Sequence, residues 1–313
     1  MDPAKILVVR LSAMGDILHT LPAVATLKAS FPQAHITWAV KPRWVVLLAA
    51  NPYVDAVVPL EWPRLGLGRF DLAIDFQGLV RSASVARLAQ VSRVAGFDQP
   101  KEAPAKLFYT LKVATRASHV VDQNLELAAA IGADERRIEF PIPDYPPEGE
   151  LPPGDFLLAS PFAGWQAKEW PAGCWTRLAA LVRERLGWPL VLNCGPGQES
   201  GAAAIRGCVL NVTSVEGLIG VTRRARAVVG LDSGPLHLAA ALGKPGVALF
   251  GPTDPARNGP YGASFAVLRA PGSETSYRHE DAPLASMQAL EPELVLQTLE
   301  TQISRFSVLE PHR

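Results

Sequence analysis

Short apolar runs rich in Ile, Leu and Val alternate with helical patterns along this chain, and that alternation limits its fold more than any other feature. In the first half the runs are residues 6–11, 36–40, 56–60, 72–76 and 93–97, with helical candidates between them at 20–30, 44–50, 80–90 and 122–131. Runs that are apolar on both faces read as strands buried on both faces. Right-handed crossovers wind such a βα alternation into a parallel sheet covered by helices. Over residues 140–154 the pattern breaks, because Pro141, Pro143, Pro146, Pro147, Pro152 and Pro153 make a stiff, extended linker that cannot be a helix. The alternation then restarts, with strands expected at 156–160, 190–194, 227–231 and 247–250 and helices at 174–186, 199–206, 215–224 and 235–242. Two α/β halves of about 150 residues each, every one with its own core, are expected, with a cleft between them. The expected limits are 1–145 and 146–290, and a last helical pattern at 292–306, within 291–313, is a candidate to pack back on the first half.

Composition removes several classes of function. With 313 residues, 48% hydrophobic and 19% charged, the chain can bury a large core and is neither disordered nor fibrous. Its longest apolar runs, such as 45–50, are about a third of the roughly 20 residues a membrane-spanning helix needs. The amino end enters a strand directly, without the basic region, long apolar core and cleavage site of an export signal, so a cytoplasmic protein is expected. Three cysteines, Cys174, Cys194 and Cys208, lack metal-ligand spacing and suit reduced, buried thiols. The formal net charge of zero argues against general nucleic-acid binding. The charge is uneven, however. No acidic residue lies between Ile17 and Val54, and from Arg81 to Arg116 basic residues outnumber acidic ones seven to two, which suggests an anionic partner for the first half.

Chemistry concentrates where strands end. The first strand runs into Ser12-Ala13-Met14-Gly15-Asp16, a turn that opens a helical pattern. In α/β sheets ligands bind beyond the carboxyl ends of the strands, which would aim the Asp16 carboxylate at a ligand. Helix capping and the helix dipole select an aspartate at the same place, and Asp16 alone does not separate the two. In the second half, Val228-Val229-Gly230-Leu231-Asp232-Ser233-Gly234-Pro235 is a buried strand entering a tight turn, with Pro235 suited to the first turn of a helix. The N–H groups of Ser233 and Gly234 then point from a helix start, where phosphate binds. Other strands end at Gly251-Pro252-Thr253-Asp254-Pro255 and at Ser160-Pro161-Phe162-Ala163-Gly164, shortly before Lys168, which can supply a point charge to a phosphate. Singly, Gly234 could close a turn, Lys168 could be a surface lysine and His237 a core histidine. Neither a Walker lysine motif nor Gly-x-Gly-x-x-Gly follows the first strand, which weakens ATPase and NAD-dehydrogenase readings.

Taken together, Ser12-Ala13-Met14-Gly15-Asp16-Ile17-Leu18-His19-Thr20-Leu21-Pro22, Asp75-Phe76-Gln77-Gly78-Leu79-Val80-Arg81-Ser82-Ala83, Asp232-Ser233-Gly234-Pro235-Leu236-His237-Leu238 and Gly251-Pro252-Thr253-Asp254-Pro255 resemble the ADP-heptose lipopolysaccharide heptosyltransferases, glycosyltransferase family 9. The likeness spans nearly the whole chain and is closest to the heptosyltransferase I branch, which adds the first heptose to the Kdo of lipid A. It implies a GT-B fold, two Rossmann-like domains with parallel sheets facing a central cleft, and an inverting, metal-independent transfer without a cofactor. By the same resemblance Asp16 is the general base and Lys168 a partner of the nucleotide phosphates, while Glu199, Thr213, Asp232, Ser233, Gly234 and His237 bind the ADP-heptose donor. Arg64, Arg81 and Lys101 are expected to meet the anionic acceptor, Kdo-lipid A, at the inner face of the inner membrane, with only peripheral membrane contact. The chain departs from the branch in three places. Thr213 stands where a methionine is usual, Ala163 and Gly164 replace paired hydroxyl residues before Lys168, and Ala285-Ser286-Met287 lacks a cysteine. A protein or small-glycoside acceptor, a sugar-nucleotide epimerase and a non-catalytic nucleotide-sugar binding module are the alternatives.

Overall fold

The computed structural model describes residues 3–60, 68–276 and 285–309, and the chain divides into two units, Met1–Pro143 and Asp144–Arg313. The strands of the first unit are β1 (Lys5–Val9), β2 (His35–Val40), β3 (Ala56–Pro59), β4 (Leu72–Asp75), β5 (Arg93–Phe97) and β6 (Leu111–Val113). Those of the second are β7 (Leu157–Ser160), β8 (Leu190–Cys194), β9 (Val209–Val212), β10 (Ala227–Leu231), β11 (Gly246–Phe250) and β12 (Phe265–Arg269). All pair in parallel, in the orders β3-β2-β1-β4-β5-β6 and β12-β11-β10-β7-β8-β9. Each sheet is therefore doubly wound, with its strand order reversing between β1 and β4 in one unit and between β7 and β10 in the other. At such a reversal the connections leave in opposite directions and open a crevice beyond the strand ends.

The helices of the first unit are α1 (Met14–Leu18), α2 (Leu21–Ser30), α3 (Val80–Leu88) and α4 (Val120–Ala129), together with 3₁₀ turns at Pro42–Leu48 and Ala103–Phe108. The second unit carries α5 (Ala172–Leu186), α6 (Glu199–Ala202), α7 (Val215–Arg224), α8 (Gly234–Ala241), α9 (Pro255–Asn258), α10 (Ala285–Gln288) and α11 (Pro292–Leu309), with a 3₁₀ turn at Gln166–Lys168. Local chemistry sets several boundaries. Ser214 caps α7 by accepting from the Gly217 N–H, Asp254 caps α9 by accepting from the Ala256 N–H, and Gly187, at φ +72°, ends α5 in the left-handed conformation that only glycine adopts cheaply.

Side chains alternate between sheet faces, and the second unit's core follows that period. Leu157, Ala159, Val229, Leu231, Val247 and Leu249 face one cluster with α5, whereas Phe156, Leu158, Val228, Ala248 and Phe250 face another with α7 and α8. The final helix joins the first of these clusters through Val295, Leu296 and Leu299 and packs on α5, β11 and β12. Burial of this apolar stripe is supplied by elements of the second unit. Three corrections are local. Residues 44–48 belong to a 3₁₀ turn begun by Pro42 and 49–50 lie beyond it, α6 stops at Ala202, and β6, β9 and β12 add strands that the apolar runs did not mark. The proline-rich stretch lies on α7, where the Glu148 carboxylate accepts from the Ser214 N–H at 2.8 Å and from its hydroxyl at 2.7 Å.

Candidate active site

β1 ends at Val9, Arg10 and Leu11 follow it, and α1 begins at Met14, which sets Asp16 in the first helical turn beside the reversal point of the first sheet. Its carboxylate makes no capping bond; α1 is preceded by Ala13, which has no side chain to cap with. Instead one oxygen is paired with the Arg10 guanidinium at 2.6 Å and the other with the Lys101 ammonium at 3.3 Å. Arg10 is buried, with its side chain 2% exposed, while Asp16 is 30% exposed and so can be reached from solvent. Burial acts to raise the Asp16 pKa, but the charges of Arg10, Lys101 and His19 outweigh it and hold the carboxyl well below the usual range. Asp16 is therefore a fixed carboxylate at every physiological pH.

A second network lies directly behind it. The Asp75 carboxylate closes β4 and is wholly buried. It accepts from the Gln77 N–H at 2.9 Å, the Gly78 N–H at 3.3 Å, the Ser82 hydroxyl at 3.0 Å and the Tyr109 hydroxyl at 2.6 Å. Burial pushes this carboxyl up, against the lowering effect of those bonds, and it pushes the Tyr109 phenol up too. Arg10 donates to the Phe76 carbonyl, and the Leu11 N–H donates to the Gln77 side-chain oxygen at 2.7 Å, so the turn after β4 is tied to the exit of β1.

In the second unit the reversal point between β7 and β10 gathers Lys168 and Asp232. Their Nζ and Oδ2 are 2.6 Å apart, and both side chains are nearly buried. The ammonium also lies 3.8 Å from the centre of the Trp165 ring, and His237 Nε2 is 3.6 Å from the other Asp232 oxygen. Burial raises the Asp232 pKa, but His237 and Lys168 more than compensate, and the carboxyl is held well below its ordinary range. Ser233 precedes α8, with Gly234 and Pro235 as its first two residues, so the start of an eight-residue helix faces this cluster. Among the described residues the Ser233 and Thr253 hydroxyls are buried without a hydrogen-bond partner, at the ends of the adjacent strands β10 and β11.

Asp16 and Lys101 are thus brought together, as are Lys168, Asp232 and His237. Glu199, exposed at the start of α6, and Thr213, buried after β9 on Asn193, stand at the ends of neighbouring strands but make no bond to the Lys168 cluster. Arg81 is exposed on α3, and Arg64 lies outside the described residues. Arg10 and Tyr109 escape sequence reasoning, and Asp75 and Gln77 enter it only as members of a motif, with no role of their own. For Arg10 the one signal is a charged residue following an apolar run. Among the described residues no group of three or more His, Cys, Asp and Glu is placed to hold a metal ion, and no helix is long and apolar enough to cross a membrane.

Comparison with known proteins bears on the family and the fold. The family model for glycosyltransferase family 9 (heptosyltransferase) matches residues 62–287. Lipopolysaccharide heptosyltransferase 1 of Pseudomonas aeruginosa is 32% identical over 302 residues, covering 84% of this chain and 83% of that protein. The structure of E. coli heptosyltransferase WaaC with ADP has a TM-score of 0.77 at 27% identity, over 95% of this chain and 99% of that one. WaaC with ADP-2-deoxy-2-fluoro heptose gives 0.73 at 26% over the same shares.

Proposed function

The chain belongs to glycosyltransferase family 9, the heptosyltransferases, and from that premise we propose that it moves heptose from ADP-heptose to the Kdo of lipid A, with inversion and with Asp16 as general base. Membership supports heptose transfer in the synthesis of the lipopolysaccharide core; the acceptor, the base and the residue roles are the proposal. The observation that carries it is the Asp16 carboxylate, ionised, reachable and fixed by two cations at a strand-order reversal.

In this reading the first unit presents the acceptor and the second binds the donor. The acceptor oxygen attacks the anomeric carbon from the face opposite the diphosphate, the C–O bond to the diphosphate breaks with its electron pair leaving on ADP, and Asp16 takes the hydroxyl proton. A carboxylate held so far below neutrality is a poor base toward a free hydroxyl. It accepts the proton only as the new bond makes that proton acidic, so placement matters more than basicity. Charge growing on the diphosphate is stabilised by Lys168 and by the N–H groups at the start of α8, which arrive already oriented. Ser233, Gly234 and Thr253 line the same strand ends, Asp232 and His237 hold Lys168 in place, and Glu199 and Thr213 receive the nucleoside. Arg64, Arg81 and Lys101 meet the carboxylate and phosphates of the acceptor. These groups supply the necessary charge, and the reaction as proposed uses no metal and no cofactor. An anionic lipid-linked acceptor and a cationic first half support work from the cytoplasm at the inner membrane surface, held there peripherally.

Asp16→Asn is close in shape but cannot take the proton. Steady-state kinetics should show kcat lowered by about 10²–10⁴ with donor affinity unchanged. A kcat near that of the wild type would remove Asp16 from the base role.

A further inference from the structure

We infer that Arg10 is the positioning residue of the Asp16 carboxylate, and that the turn organised by Asp75 is the node from which both cations on that carboxylate are aimed. The inference rests on the assignment of Asp16 as base and adds how that base is held. Arg10 is buried and divided between two tasks: one guanidinium nitrogen pairs with Asp16 and another donates to the Phe76 carbonyl. A planar fork serves two acceptors at a fixed spacing; a lysine ammonium is a compact point charge on a flexible stem and does not hold that spacing.

The Phe76 carbonyl is itself placed by Asp75, whose Oδ1 receives the N–H groups of Gln77 and Gly78 and whose Oδ2 receives the hydroxyls of Ser82 and Tyr109. Lys101, the second cation, hangs from the same turn. The Glu102 N–H donates to the Gly78 carbonyl at 2.9 Å. Gly78 has φ +72°, and a Cβ there would come within 3.1 Å of the Lys101 nitrogen and 3.2 Å of Pro100, so the two segments touch without room for a side chain. Tyr109 reaches Asp75 by crossing β5 at Gly96, where any Cβ would lie 2.4 Å from its ring. Three separate segments, the exit of β1, the turn after β4 and the strap carrying Lys101, are thus fixed to one buried carboxylate. Among the described residues, His19, which follows α1, is the further titratable group that acts on Asp16.

The test sets Arg10→Met, Arg10→Lys and Tyr109→Phe beside the wild type and reads two quantities. One is kcat with ADP-heptose and Kdo-lipid A; the other is the titration midpoint of the Asp16 carboxyl by ¹³C NMR, assigned by its disappearance in Asp16→Asn. Arg10→Met should raise the midpoint by about 1–3 pH units and lower kcat about tenfold or more, with donor affinity unchanged. Arg10→Lys keeps the charge and loses the fork, so its midpoint should stay low while kcat still falls about tenfold; Tyr109→Phe should show the same pattern more weakly. A buried arginine serving stability alone would give Arg10→Lys and Tyr109→Phe wild-type kcat, which overturns the inference, as does an unmoved midpoint in Arg10→Met. Should Arg10→Met not fold, the other two variants decide. An Asp16→Asn variant that keeps its kcat defeats the base assignment instead, and the midpoint in Arg10→Met still reports on Arg10 by itself.

Discussion

Lys168 and Asp232 depend on each other. At 2.6 Å, with side chains 10% and 7% exposed, each would be an uncompensated buried charge without its partner. Removing one member of such a pair costs about 3–5 kcal/mol, most of it from the charge left behind. Lys168→Met should therefore lower the urea midpoint of unfolding as well as weaken donor binding. The pH dependence has a definite sign. Asp232 is held below its ordinary range in the folded chain, so it stabilises the protein at neutral pH and that contribution is lost as pH falls through the folded value. In the variant this carboxyl rises, and the acid decline should begin at a higher pH than in the wild type. Equal urea midpoints across pH 3–7 would mean that the pair adds nothing. Both residues can be picked out in the sequence as groups following strand ends, but their pairing across 64 positions cannot. Arg10 and Asp75 are harder still. A charge that closes an apolar run is the ordinary signature of a strand meeting water, and only the folded chain shows both to be buried.

Most strands covered on both faces were legible, and the edge strand β3 was legible as well through its short apolar run, Ala56-Val57-Val58. β1, β2, β4, β7, β8, β10 and β11 lie inside their sheets, covered on both faces, and their sequences are close to continuous apolar runs. β6, β9 and β12 are edge strands with mixed burial, and their sequences, Leu111-Lys112-Val113 among them, carry no such run. The proline-rich stretch was legible as extended but not as a packed element. Its attachment to α7 leads to a prediction at this scale: a Cβ on Gly220 would meet the Pro146 carbonyl oxygen at 2.4 Å and the Pro147 nitrogen at 2.5 Å, backbone atoms that cannot swing away. Gly220→Ala, neutral or favourable in an isolated helix, should here cost about 1–3 kcal/mol and speed proteolysis within residues 141–153. Wild-type stability and wild-type cleavage there would show that the linker does not need α7.

Both units repeat one doubly wound order, and in both the charged groups collect where that order reverses. The repetition explains why a chain with neither a Walker lysine motif nor a glycine-rich dinucleotide fingerprint still presents a helix start beside a charged cluster, supplied by α8 rather than by the turn after β7, and phosphate binding there is part of the proposal. The fold follows from this architecture and the family from the match of its model to residues 62–287. The side chains proposed to meet the acceptor, such as Arg81 and Lys101, carry charge that attracts many anions, and so chemistry must identify the acceptor. The deciding measurement is mass spectrometry of the products formed from ADP-heptose and Kdo-lipid A. The account predicts an acceptor heavier by one heptose, with ADP released in equal amount, and loss of both products in Asp16→Asn. An unmodified acceptor beside unchanged or epimerised ADP-heptose would contradict it.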